Sequence, residues 1–146
     1  MVHDFNVSLQ WKQSDHQLPV AMYNRHAVLV GNFVYAGGGI CQKKDSEYVV
    51  FKYDYRNETW CSLPTVNRKG FAMVSFQHQL VLIGGITATG RILRDLAVWD
   101  EAHHGWIQDR YPPMNTARMH STAVAHEVYI AVAGGTSAVT RRCGGV

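Results

Sequence analysis

With 146 residues, 47% of them hydrophobic and 17% charged, the chain is long enough to bury a core and too apolar to stay disordered. Fourteen basic and eleven acidic side chains leave a net charge of +3, with no dense basic cluster, so nucleic acid is not an expected partner. The longest apolar runs, such as residues 80–83 and 128–133, are far too short to cross a bilayer, and residues 1–10 hold no signal-peptide core. Cys41, Cys61 and Cys143 are few, odd in number and widely spaced, which argues against a disulfide framework. A cytoplasmic protein without membrane contact is therefore expected, and the sequons at Asn6 and Asn57 read as chance.

Taken in order, residues 1–24 read as the end of one repeating unit, with Trp11 in its last strand and Pro19 behind it. Arg25 opens the next unit, residues 25–67. Short β-forming runs at 27–30 and 33–36, around Gly31-Asn32, predict a hairpin that stops at Gly38-Gly39. A polar loop at 40–47 leads to a third run at 48–53. A turn at 55–58 precedes a fourth strand carrying Trp60, and Pro64 follows. Residues 68–117 repeat the order: Arg68, runs at 72–76 and 80–83 around a polar break at 77–79, then Gly84-Gly85. The loop at 86–95, a run at 93–99, a turn at 101–105, Trp106 and Pro112-Pro113 complete that unit. Arg118 starts a third. Its runs flank His126-Glu127, the second at 128–133, and end at Gly134-Gly135; residues 118–135 are thus one hairpin and 136–146 an irregular tail.

The markers recur too regularly for chance. Glycine pairs are 46 and 50 residues apart, and Trp11, Trp60 and Trp106 are 49 and 46 apart. Tyr53-Asp54 and Trp99-Asp100 each place an aromatic seven residues before the tryptophan. Four short antiparallel strands per unit describe an all-β fold of β-propeller blades, about three of them. Glycine within a strand is unfavourable, so a repeated pair serves geometry: open backbone angles and close approach of a neighbour. Each aromatic can bury on the order of 150–250 Å², worth several kcal/mol at roughly 25 cal/mol per Å². One unit cannot bury both of its faces, which is why such units form arrays.

The order arginine, hairpin, double glycine, Tyr-Asp, tryptophan and Leu-Pro resembles the kelch repeat, and residues 53–64 (YDYRNETWCSLP) lie close to its consensus. Trp99-Asp100 spells the WD40 dipeptide, but that repeat is shorter and carries a Gly-His signature absent here. Trp99 is better read at the kelch tyrosine position. Gly70 stands where His120 does, and the third hairpin is two residues longer than the second. The resemblance implies a protein–protein interaction scaffold with a protein partner, such as the substrate-recognition part of a ubiquitin-ligase adaptor or an actin-associated scaffold. It also implies closure at four to eight blades, so the expectation is a piece of a longer propeller or a homodimer completing a six-bladed ring. Two rival readings are a truncated fragment without activity of its own and a propeller enzyme such as a kelch-like oxidase.

No catalytic constellation is expected, no cofactor and no metal site; the chain does not read as an enzyme. His26 and His120 fall at the repeat's own histidine position, and adjacent His103-His104 on a turn rarely converge on one metal. Nucleophile-elbow, P-loop and dinucleotide motifs are lacking, and residues 37–39 are a strand end, not a phosphate cradle. Recognition is expected in the loops between the second and third strands, which differ from each other and hang from the same edge. Their candidate contacts are Lys43, Lys44 and Asp45 in one loop and Arg91 and Arg94 in the other. Arginine's planar fork suits carboxylates.

Overall fold

The computed structural model describes residues 9–137, and among them the chain is nearly all-β with every strand pairing antiparallel. The first unit contains β1 (Met22–Tyr23), β2 (His26–Val30), β3 (Phe33–Gly37), β4 (Ile40–Cys41), β5 (Phe51–Asp54) and β6 (Thr59–Ser62). The second contains β7 (Ala72–Phe76), β8 (Gln79–Ile83), β9 (Leu96–Asp100) and β10 (Gly105–Ile107). A hairpin of β11 (Thr122–Ala125) and β12 (Ile130–Ala133) follows. Strands β2-β3-β5-β6 form one four-stranded meander and β7-β8-β9-β10 another; β1 pairs with β4, and β11 with β12. Among the described residues no sheet closes on itself.

Turn chemistry explains the hairpins. Gln77 and His78 both hold positive φ (49° and 61°), the twist a two-residue β7–β8 turn needs. Gly31 supplies φ 59° between β2 and β3. The two extra residues of the third hairpin enter its loop, not its strand. Residues 126–129 form a wider turn closed by the His126 N–H donating to the Tyr129 carbonyl at 2.8 Å. Strand β12 therefore starts at Ile130 rather than 128, and Val128 and Tyr129 stand exposed.

The third runs also start later than the apolar pattern suggests, at Phe51 and Leu96. Before them the chain buries Val50 and Leu93 but is not paired in the sheet: the Tyr48 carbonyl accepts from Val66 N–H at 2.9 Å, and that of Leu93 from Arg118 N–H at 3.0 Å. An apolar run does not distinguish a strand from a loop held by such crossing bonds.

Strand register redefines two of the repeat positions. A shift of 46 residues carries the Tyr23–Ile40 pair onto the Lys69–Ile86 bridge, and a further 50 onto Met119–Thr136. Met22, Arg68 and Arg118 are thereby equivalent. So are Asn24, Gly70 and His120, all with positive φ (53°, 61° and 55°). Arg25 is not a counterpart of Arg68, because only 43 residues separate them; it stands at the place of Phe71 and Ser121. His26 matches Ala72 and Thr122, not His120.

The sheets stack face to face, with β7 alongside both β2 and β11. Tyr35, Val28, Val30 and Phe33 of the first sheet meet Met73, Leu80, Leu82 and Trp99 of the second. The opposite face of the second sheet, Val74, Phe76, Val81, Ile83 and Val98, packs on Ala123, Ile130 and Val132 of the hairpin. Each fully buried Leu, Ile or Phe contributes about 1.5–3 kcal/mol, so the second sheet, buried on both faces, carries most of the stabilisation. The glycine pairs make this stacking possible. A Cβ on Gly38 would lie 2.5 Å from the Phe71 carbonyl, and one on Gly84 only 2.3 Å from that of Arg118, both in the next unit. Their partners Gly39, Gly85 and Gly135 press on Tyr23, Lys69 and Met119 within the same unit.

Candidate binding edge

The two loops named from the sequence are positioned by different means. The first opens with Ile40–Cys41, already paired as β4, and continues into a 3-10 turn at Lys44–Tyr48. Glu47 is buried at 6% exposure, and its carboxylate accepts from the Cys41 N–H at 3.4 Å and from Lys69 Nζ at 3.0 Å. That hydrogen bond to Glu47 raises the Lys69 pKa against the opposing effect of burial. Since Lys69 belongs to the second unit, the ion pair ties the first loop across the junction. The second loop is a small hairpin of its own. Ile86 bridges Lys69 and Ile92, Thr87 Oγ1 accepts the Arg91 N–H at 3.1 Å, and Leu93 N–H donates to Gly85 at 2.8 Å.

Between them lies a cleft of roughly 520 Å³, walled by Asp45, Tyr48 and Val66 on one side and Thr87, Ala88 and Thr89 on the other. Asp45 alone of the five expected contacts reaches this cleft. Lys43, Lys44, Arg91 and Arg94 are exposed on the flanking loops. Among the described residues, none of these four side chains has a hydrogen-bond or ion-pair partner.

The repeat markers hold this edge in place. Arg68 is fully buried and donates to the Gly84 carbonyl (3.2 Å), the Asp95 carbonyl (2.8 Å), the Asp95 carboxylate (2.6 Å), Gln108 (2.7 Å) and Asn67 (3.2 Å). It thus pins the base of the second loop at both ends. Arg118 makes the matching bond to the Gly134 carbonyl at 2.8 Å, whereas Arg25 donates to the Met22 carbonyl. Asp54 and Asp100 cap the turns after β5 and β9: Asp54 accepts the Arg56 N–H at 2.9 Å, and Asp100 that of Ala102 at 3.0 Å. Tyr53 and Trp60 face each other across β5 and β6 with centroids 4.9 Å apart, as do Trp99 and Trp106 at 5.2 Å. Each outer tryptophan also reaches back to the chain before its own unit, Trp60 Nε1 to the His16 carbonyl (3.1 Å) and Trp106 Nε1 to that of Pro64 (2.9 Å).

Glu47, Lys69, Asp95 and Gln108 were not singled out by the sequence, because none recurs at the repeat period; their partners lie 22 to 40 residues away. Among the other reactive groups, the Cys41 thiol donates to the Lys43 carbonyl at 2.8 Å, and burial pushes its pKa up, so it is held protonated. Cys61 is exposed, and Cys143 lies outside the described residues. His103 Nδ1 contacts the Asp100 carboxylate at 2.6 Å, which lowers the pKa of Asp100. Among the described residues, no three His, Cys, Asp or Glu side chains gather as a metal site. No helix there is long and apolar enough to cross a membrane.

A scan against protein-family models finds no match to the chain, and a search of the curated proteins finds none either.

Proposed function

We propose that the chain is an array of kelch-type propeller blades acting as a protein–protein interaction module. It captures a carboxylate-bearing segment of a partner protein on the edge formed by residues 40–47 and 86–95. The observation that carries this reading is the pairing of a braced frame with unspent charge. Fully buried Arg68 and the Lys69–Glu47 ion pair fix the two loops. The cations at Lys43, Lys44, Arg91 and Arg94 lie on the loops that flank a cleft whose walls carry apolar and hydroxyl side chains together with Asp45 and Asn67. The meander order of each four-stranded sheet, the side-by-side inner strands and the recurring register support the blade assignment.

The test is a titration with peptides rich in Asp and Glu, set against Lys-rich peptides of equal length, by fluorescence anisotropy. The protein is expected to prefer the acidic set, with affinity falling as salt rises. The double variant Arg91→Glu/Arg94→Glu is expected to weaken capture at least tenfold while leaving the melting temperature unchanged, since both side chains are exposed. Capture that survives this reversal at full strength removes these loops as the site.

A further inference from the structure

The apolar face of the second sheet holds a second cleft, about 320 Å³, lined among others by Phe76, Leu96, Tyr111, Met114, Ile130 and Val132. Its location has a precedent one unit earlier. There, Val28 and Val30 of the first sheet and Leu63 behind it are covered by Trp99 and Trp106 of the following sheet, and Trp106 Nε1 donates to the Pro64 carbonyl. The 46-residue shift takes Val28 and Val30 to Val74 and Phe76. The equivalent Leu63-Pro64 step is Tyr111-Pro112, displaced by the two-residue insertion between Tyr48–Val66 and Arg94–Met114. The cleft is therefore the same tryptophan socket, and among the described residues no indole enters it.

Among the described residues, one repeat tryptophan conversely has no socket. Trp11 stands at the repeat spacing before Trp60, yet its side chain is 106% exposed and the chain around it is in no strand. Leu9, two residues earlier and 93% exposed, would share its face in an extended segment. Trp11 does not reach the cleft of its own chain. Trp60, packed with Leu18, Val20 and Phe51, holds His16 on the face of the first sheet turned away from the second. The five residues from His16 to Trp11 span at most about 18 Å. Stacked sheets are roughly 10 Å apart, and two of them stand in the way.

We infer that Trp11 of one copy occupies the Phe76–Tyr111–Met114 cleft of a second copy, its indole N–H donating to the Pro112 carbonyl, and that the exchange is reciprocal in a two-fold dimer. The same two surfaces meet twice, so the interface closes on itself and does not propagate. This rests on the propeller reading, from which the socket is identified.

The test is molar mass by light scattering behind a sizing column, with sedimentation equilibrium for the dissociation constant and a circular-dichroism melt on each peak. The wild-type chain is expected to be a dimer. Trp11→Ala, at a fully exposed position, is expected to weaken dimerisation at least tenfold without loss of the cooperative melt. Met114→Glu at the cleft is expected to do the same. Mixing the two variants is expected to restore a heterodimer, because one Trp11 and one cleft remain intact. A wild-type monomer with a cooperative β-sheet melt overturns this inference alone. So does a dimer indifferent to Trp11→Ala, or one sensitive to Trp11→Ala but not to Met114→Glu. A chain with no cooperative β-sheet melt at all overturns the propeller reading and this inference with it.

Discussion

Arg68 and Arg118 occupy one repeat position, yet their energetic roles differ because their surroundings do. Arg68 has no exposure and five hydrogen-bonded contacts, one to the Asp95 side chain. Removing it leaves two carbonyls and the Gln108 side chain without their donor beside a cavity, while the Asp95 carboxylate, 37% exposed, turns to water. Arg118 is half-buried, and among the described residues its side chain makes one bond, to Gly134. Arg68→Ala is accordingly expected to cost about 2–4 kcal/mol, from the lost hydrogen bonds and the cavity, and Arg118→Ala no more than about 1.5 kcal/mol, by urea denaturation. Equal costs would mean that burial is not what sets the value of the brace. The equivalent residue in the first unit, Met22, shows that the position also accepts an apolar side chain when no loop carboxylate awaits it. This distinction was not legible in the sequence. There Arg25, three residues out of register, looked like the natural counterpart, and a spacing of 43 in place of 46 was the available sign.

At the scale of the element, the hairpins were legible and the loop-to-strand transitions were not. Residues 72–76 were expected as a strand and are β7, and residues 27–30 fall inside β2. Turn pairs and glycine pairs punctuate the chain at both ends of each hairpin, and physical necessity enforces the punctuation. The third strands lacked a mark of that kind, since buried Val50 and Leu93 in the preceding loops are as apolar as the strands they precede. The two candidate loops were legible as a shared edge. That the first is fastened by a buried Glu47 was not, because an acidic residue in a polar loop looks solvated until Lys69 is placed beside it. Glycines offer a test of the geometric account. Gly84 and Gly90 both have positive φ (61° and 88°), but a Cβ at Gly84 collides with the Arg118 carbonyl, and at Gly90 it meets nothing within 4 Å. Gly84→Ala is expected to cost about 3 kcal/mol or more, from strain plus overlap. Gly90→Ala carries backbone strain alone, about 1 kcal/mol. Similar losses in the two melts would assign the double glycine a backbone role only, and not the close approach of the next unit.

Across the whole molecule, the three units meet where β2, β7 and β11 begin, and two histidines sit at that junction. His26 comes from the first unit, and a Cβ on Gly38 would lie 3.2 Å from its ring. His120 comes from the third, its N–H bonded to the Gly70 carbonyl at 2.8 Å, with its ring against the second unit at Gly70. Burial first, and then the charge of His120, lower the His26 pKa below its ordinary value of 6.5. Above pH 6.5 the ring is neutral folded or unfolded, and this contribution to stability is fully present. As pH falls from 6.5 toward the folded value, the unfolded chain takes up a proton that the native state resists, so stability declines. Below the folded value both states are protonated and this histidine causes no further loss. The urea midpoint is therefore expected to fall between pH 7.5 and 5, and His26→Gln is expected to reduce that fall. His120→Gln is expected to reduce it by a smaller amount, since burial is the larger cause and remains. If His26→Gln leaves the pH dependence unchanged, another group governs acid sensitivity. If His120→Gln does as much as His26→Gln, the charge across the junction outweighs the burial of the ring within it.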